Sequence, residues 1–195
     1  MENREKLIVQ ASWVSIGGNA LLSVLKIVIG FLAGSLAVVA DGIDSAGDIV
    51  ASIITLFTAH VVSRPPNLKF AYGYERADTI ASKLLSFIIF FAGAQLAIST
   101  VHRLIEGIER EIPSMLAIYV TIFSILGKIS LAWYQTKIGK RTGSLMLQAN
   151  GRNMLGDVII SGAVLVGLFF TFTLKMPVFD TVTALLVSVW IIYVA

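Results

Sequence analysis

The apolar residues of this chain come in long blocks, without the strict alternation of a half-buried strand or the narrow stripe of a surface helix. A membrane-crossing helix needs about 20 mostly apolar residues. Six segments reach that length, at about 8–32, 36–62, 77–103, 115–136, 145–172 and 178–195. The polar punctuation between them is mostly brief. The connectors "AGS" (33–35) and "KMPVFD" (175–180) are short enough to make their flanking helices antiparallel neighbours. "SRPPNLKFAYGYER" (63–76) is the longest irregular piece, and Pro65–Pro66 cannot continue a helix. "HRLIEGIEREIP" (102–113) mixes charges of both signs and predicts an extension of the third helix past the membrane surface. The expected fold class is an all-α membrane protein, a six-helix transmembrane bundle filling residues 1–195 as one domain.

Composition agrees with that pattern. Of 195 residues, 56% are hydrophobic and 14% charged, and the mean hydropathy is +0.85. Soluble domains carry about 25% charged residues, so this chain has too little polar surface to cover itself in water. With zero cysteines, disulfides, zinc ribbons and thiolate chemistry are excluded. The net charge of +3 reports loop orientation in such a chain and does not point to nucleic acid. The start, "MENREKLIVQ", has mixed charge and predicts no cleavable signal peptide. With the N-terminus inside, the inner segments hold Arg4, Lys6, Arg64, Lys69, Arg76, Lys137, Lys140 and Arg141. The outer ones hold Arg103, Arg110 and Lys175, with Glu106, Glu109 and Glu111 beside the two arginines. This excess inside predicts that both termini are cytoplasmic.

Against this background "DGIDSAGD" (41–48) is anomalous, because Asp41, Asp44 and Asp48 lie inside the second apolar segment. A charged side chain deep in a bilayer costs several kcal/mol, and it marks a functional site by default. Asp44 and Asp48 are one helical turn apart, about 6 Å along the axis, so they leave the same face. Two carboxylates so placed repel unless a cation or a proton lies with them. The fifth segment repeats the spacing in "NGRNMLGD" (150–157), where Asn153 and Asp157 share a face and Asn150 extends it by a turn. If the second and fifth helices touch, Asp44, Asp48, Asn153 and Asp157 offer four oxygen-bearing side chains to a divalent cation. Gly42, Gly47 and Gly156 are expected to let those two helices approach. The alternative is purely structural: Lys26 and Lys128, also in apolar segments, could neutralise Asp41 or Asp157. On residues alone both readings stand.

Four stretches resemble the cation diffusion facilitator family, in order and over nearly the whole chain. "GSLAVVADGIDSAGDIVASII" is similar to that family's second helix, and "YGYERADTIAS" to the cytoplasmic lead-in of its third, commonly YGHGRAE. "LQANGRNMLGDVIISGAVLVG" resembles the fifth, and "FDTVTALLVSVWII" the start of the sixth. The resemblance implies a homodimeric secondary transporter in the cell's inner (plasma) membrane. It would export divalent transition metals in exchange for protons by alternating access, with Asp44, Asp48, Asn153 and Asp157 as metal ligands. No permanent cofactor is implied; the metal ion and protons are substrates, the membrane is the surroundings, and nucleic acid plays no part.

Two departures refine this. Zinc-transporting members place histidine where this chain has Asn153. An all-oxygen site leans toward harder ions, so Mn²⁺ is the expected substrate, with Zn²⁺, Fe²⁺ and Co²⁺ as alternatives. Zinc-type members also often carry a loop site, where this chain has Asn67 and Tyr74; no metal is expected there, and Glu75 and Asp78 sit beside Arg76 and Lys83. His60 and His102 read as isolated surface histidines, and the tryptophans as interfacial or packing residues. Family members continue beyond the sixth helix into a cytoplasmic ferredoxin-like domain that dimerises; this chain stops at "WIIYVA" and is expected to be truncated. A passive cation channel and a non-transporting scaffold are the competing classes. An enzyme is not expected, since no nucleophile–base pair, phosphate loop or H-E-x-x-H is present.

Overall fold

The computed structural model describes residues 2–62, 76–106 and 112–195. Among the described residues there are six helices: α1 (Glu2–Leu32), α2 (Leu36–Val62), α3 (Arg76–Glu106), α4 (Leu116–Thr142), α5 (Leu145–Leu174) and α6 (Val178–Val194). Four stretches, Lys6–Leu32, Ser86–Ile105, Leu116–Thr142 and Leu145–Leu174, are long and apolar enough to cross a membrane. α6 is apolar but has 17 residues, and α2 carries the three aspartates. The expectations about the 63–76 loop, including Pro65–Pro66, Asn67, Tyr74 and Glu75, lie outside the described residues. So do those about Glu109, Arg110 and Glu111.

Helix limits follow local chemistry more than the membrane. α1 starts in the charged "ENREK", and α4 runs on through "QTKIGKR". Straight-chain polar residues are good helix formers, and nothing stops either helix at a membrane surface. α4 ends where Gly143 takes a left-handed φ of 66° and its N–H bonds the Gly139 carbonyl. Ser144 then caps α5, its hydroxyl accepting from the Leu147 N–H at 3.4 Å.

α4 packs along α5 and α1 along α2, with α1 also against α4. The α3–α6 pair lies beside α2, and α2 reaches α5 over a shorter stretch. The apolar core lies toward the end holding the α1–α2 and α5–α6 turns, around Ala37, Val38, Ala40, Val164, Leu168 and Ala184. That end is tied by polar contacts. Ser114 N–H bonds the Ala33 carbonyl at 2.9 Å. Asp180 accepts from the Ser35 hydroxyl at 2.6 Å and the Leu36 N–H at 2.9 Å. A carboxylate at the N-terminus of α2 satisfies a free N–H and meets the positive end of the helix dipole.

The polarity of the bundle is inverted relative to a water-soluble protein. Lys26, Asp41, Lys128 and Gln135 are buried at 0% exposure, whereas Phe31, Ile159 and Tyr193 are 74–80% exposed. Polar groups find partners inside and apolar ones face outward, as lipid surroundings demand.

Candidate metal site between the second and fifth helices

α1, α2 and α5 enclose a cavity of about 300 Å³. Asp48 enters it from α2, and Asn150, Asn153 and Asp157 from α5; Ser12, Ser15 and Asn19 come from α1. The one-turn spacing explains the α5 contribution, since residues 150, 153 and 157 share a face. Ser12, Ser15 and Asn19 form a matching stripe on α1 that was readable as polar positions at helical spacing, yet short neutral side chains gave no reason to single it out. Ser15 joins the two helices: its hydroxyl accepts from Asn150 Nδ2 at 3.3 Å and from Asn19 Nδ2 at 3.5 Å.

The acids divide into distinct environments. Asp48 and Asp157 border the same cavity, from α2 and α5. Two ionised carboxylates on one small cavity repel unless a proton or a cation lies with them. Asp44, one turn along α2, is half-buried and is not among the residues lining the cavity. Asn153 is exposed to the cavity. Among the described residues no three acidic or histidine side chains gather as tightly as a coordination sphere requires. The four expected ligands thus share one region of the bundle, but they do not close around a point.

Both lysines are engaged. Lys128 Nζ lies 2.6 Å from Asp157 Oδ2 and donates to the Ser45 hydroxyl at 2.9 Å. Lys26 Nζ is 2.7 Å from Asp41 Oδ2, and both side chains have 0% exposure. Ser161 completes a triangle with them, accepting from Lys26 Nζ at 2.9 Å and donating to Asp41 Oδ1 at 3.0 Å. Asp41 is therefore charge-paired with Lys26 and held at Oδ1 by Ser161, with no edge on the cavity. Asp157 is paired as well, but it keeps its opening to the cavity.

The role expected of the glycines needs correction. A Cβ on Gly42 would meet Ile27 Cγ1 at 2.7 Å and the Ile27 nitrogen at 3.0 Å, so Gly42 serves the α1–α2 contact. One on Gly47 would meet Ile89 Cδ1 of α3 at 3.2 Å, and one on Gly156 would meet nothing within 4 Å. None of the three brings α2 to α5. These two helices meet through side chains, at the Ser161–Asp41 hydrogen bond and in the apolar core that Val38 and Val164 share. The close approaches along α5 are at Gly151, where a Cβ would lie 2.5 Å from Thr136 Oγ1 and 3.0 Å from the Ala132 carbonyl of α4, and at Gly167, where it would collide with Thr183 of α6.

Comparison with known proteins gives the same picture from a separate direction. Residues 12–195 match the family model described as the cation efflux transmembrane domain. An uncharacterized transporter of Methanocaldococcus jannaschii is 31% identical over 184 residues, 93% of this chain and 64% of that protein. The manganese efflux system protein MneS of Bacillus subtilis is 30% identical, covering 91% of this chain and 61% of its own. The magnetosome protein MamB of Magnetospira sp. is also 30% identical, covering 95% and 61%. The chain spans less than two thirds of the length of these relatives. An inside-out polarity, acids buried among apolar helices and a family match over nearly every residue lead to one assignment: this integral, multi-pass membrane protein belongs to the cation efflux, or cation diffusion facilitator, family, whose members are transporters and not enzymes.

Proposed function

We propose that this chain is the membrane part of a proton-coupled exporter of divalent transition metals, with Mn²⁺ as its favoured ion. Asp44, Asp48, Asn153 and Asp157 are the ligands in this reading. The observation that carries it is one cavity lined by Asp48 from α2 and by Asn153 and Asp157 from α5. Two facing carboxyls accept either protons or a divalent cation, and exchange between those two occupants is the chemistry of metal–proton antiport. Oxygen donors, and the absence of histidine at position 153, suit Mn²⁺ better than Zn²⁺. Two listening points outside the chain agree: MneS and MneP of Bacillus subtilis are both named manganese efflux proteins.

In the same reading all six helices span the membrane and both termini are cytoplasmic. The cavity then opens to the cytoplasm, because it is lined by the early part of α1 and the first turns of α5, near Lys137, Lys140 and Arg141. Metal enters from that side, the bundle rocks, and protons displace the ion outside. A homodimer is part of the proposal.

Proteoliposomes test it. A pH gradient should drive Mn²⁺ uphill, and Asp48→Ala or Asp157→Ala should abolish that flux in protein that remains folded. Undiminished flux in both variants would sink the site; flux indifferent to the gradient would point to a passive channel. Asn153→His should raise Zn²⁺ transport relative to Mn²⁺ by about tenfold, the scale of a single ligand change. An unchanged ratio removes position 153 from selectivity.

A further inference from the structure

Lys128 is placed to do more than balance a buried charge. Its ammonium nitrogen is 2.6 Å from Asp157 Oδ2, so it occupies an oxygen that a metal ion at the cavity would also need. Its side chain is 1% exposed, while that of Asp157 is 15% exposed and borders the cavity. The second hold on Lys128 is the hydroxyl of Ser45, which in turn donates to the Asp41 carbonyl at 2.9 Å. Lys26, the other buried lysine, is closed off with Asp41 and Ser161 and has no access to the cavity.

We infer that Lys128 is a built-in competitor for the metal site, an ammonium that holds Asp157 until a divalent cation displaces it. The inference rests on the metal reading above. Displacement need not expel the lysine, because Ser45 keeps hold of it when Asp157 turns to the ion. Charge decides what can displace it. A monovalent ion would replace one unit charge by another and would also have to shed its water. A divalent ion brings twice the charge to the same carboxylates. Lys128 therefore excludes Na⁺ and K⁺ from a site whose oxygen ligands alone would admit them. It also weakens divalent binding, which favours release on the far side of the membrane. It acts through Asp157 and is a positioning and specificity residue, not a ligand.

Calorimetric titration of the purified protein with Mn²⁺, at constant ionic strength in choline chloride or KCl, tests this. Lys128→Gln keeps a hydrogen-bond donor and removes the charge. It should bind Mn²⁺ about tenfold or more tightly in choline, and should lose that gain as K⁺ replaces choline. The wild type should respond little to the exchange of salts. Lys128→Arg keeps the charge and can grip Asp157 with two nitrogens, so it should bind Mn²⁺ no more tightly than the wild type. In thermal unfolding, Mn²⁺ should raise the melting temperature of Lys128→Gln more than that of the wild type. Unchanged or weaker Mn²⁺ affinity in Lys128→Gln, with no K⁺ effect, overturns the inference and leaves a structural ion pair. Tighter binding by Lys128→Arg overturns it equally. Asp157→Asn separates the two levels: if it leaves Mn²⁺ binding unchanged, the metal reading itself fails.

Discussion

Lys26 and Lys128 present the same sequence signal, a lone lysine within an apolar helix, and the fold gives them different partners. Lys26 closes with Asp41 and Ser161 into a unit with 0% exposure at both charges. Removing one member of such a pair strands the other charge in a nonpolar interior. Lys26→Met should therefore destabilise the protein by about 3–5 kcal/mol, and Lys26→Met with Asp41→Asn should recover most of the loss. Unfolding in detergent measures both; a single variant as stable as the double one would show that the pair is not closed in solution. In the sequence, pairing with a lysine was open to both Asp41 and Asp157, although only Asp157 stood among the four expected ligands. What separates them is distance from a cavity, which residue spacing along one helix does not contain.

Among the elements, the helix ends around the α4–α5 and α5–α6 turns are set by local chemistry: a Ser cap at Ser144, a left-handed Gly143, the Pro177 that precedes α6. The extra length of α1 and α4 was harder to see, since hydropathy marks where lipid ends and not where hydrogen bonding does. Packing between helices was the least legible. Gly42, Gly47 and Gly156 look alike in sequence, but a small residue helps only if its face meets another helix, and that depends on rotation about the axis. Gly151→Ala should push α5 from α4 at Thr136 and Ala132, costing about 1–3 kcal/mol. Gly156→Ala, with nothing within 4 Å, should be neutral or slightly stabilising. Paired unfolding measurements check this, and equal effects would contradict the packing described for α4 and α5.

For the whole molecule the governing feature is its inverted polarity combined with asymmetry between the two ends. One end is tied by Asp180, Ser35 and Ala33–Ser114 contacts, while the cavity lies toward the other. The bundle thus has a polar cavity toward one end and its apolar core toward the other, where a second pocket of about 240 Å³ borders Arg103 and Asp180. Because these 195 residues include zero cysteines, single cysteines introduced among them can map this. Ala149→Cys in the cavity wall and Lys140→Cys should react with a membrane-impermeant maleimide from the cytoplasmic side, and Gly34→Cys from the opposite side. Labelling of all three from one side would refute the proposed orientation.

Length, apolar blocks and the paired x-x-x spacings were enough to establish a helical membrane protein and four residues worth testing. Those properties are local or additive: a helix forms from its own hydrogen bonds, and burial in lipid sums over its residues. Which acid meets which base was another matter. Asp41 and Asp157 acquired their lysines, and Asp48 its cavity, only when α1, α2, α4 and α5 packed, because electrostatic partners are chosen by through-space distances of a few ångströms between residues far apart in the chain.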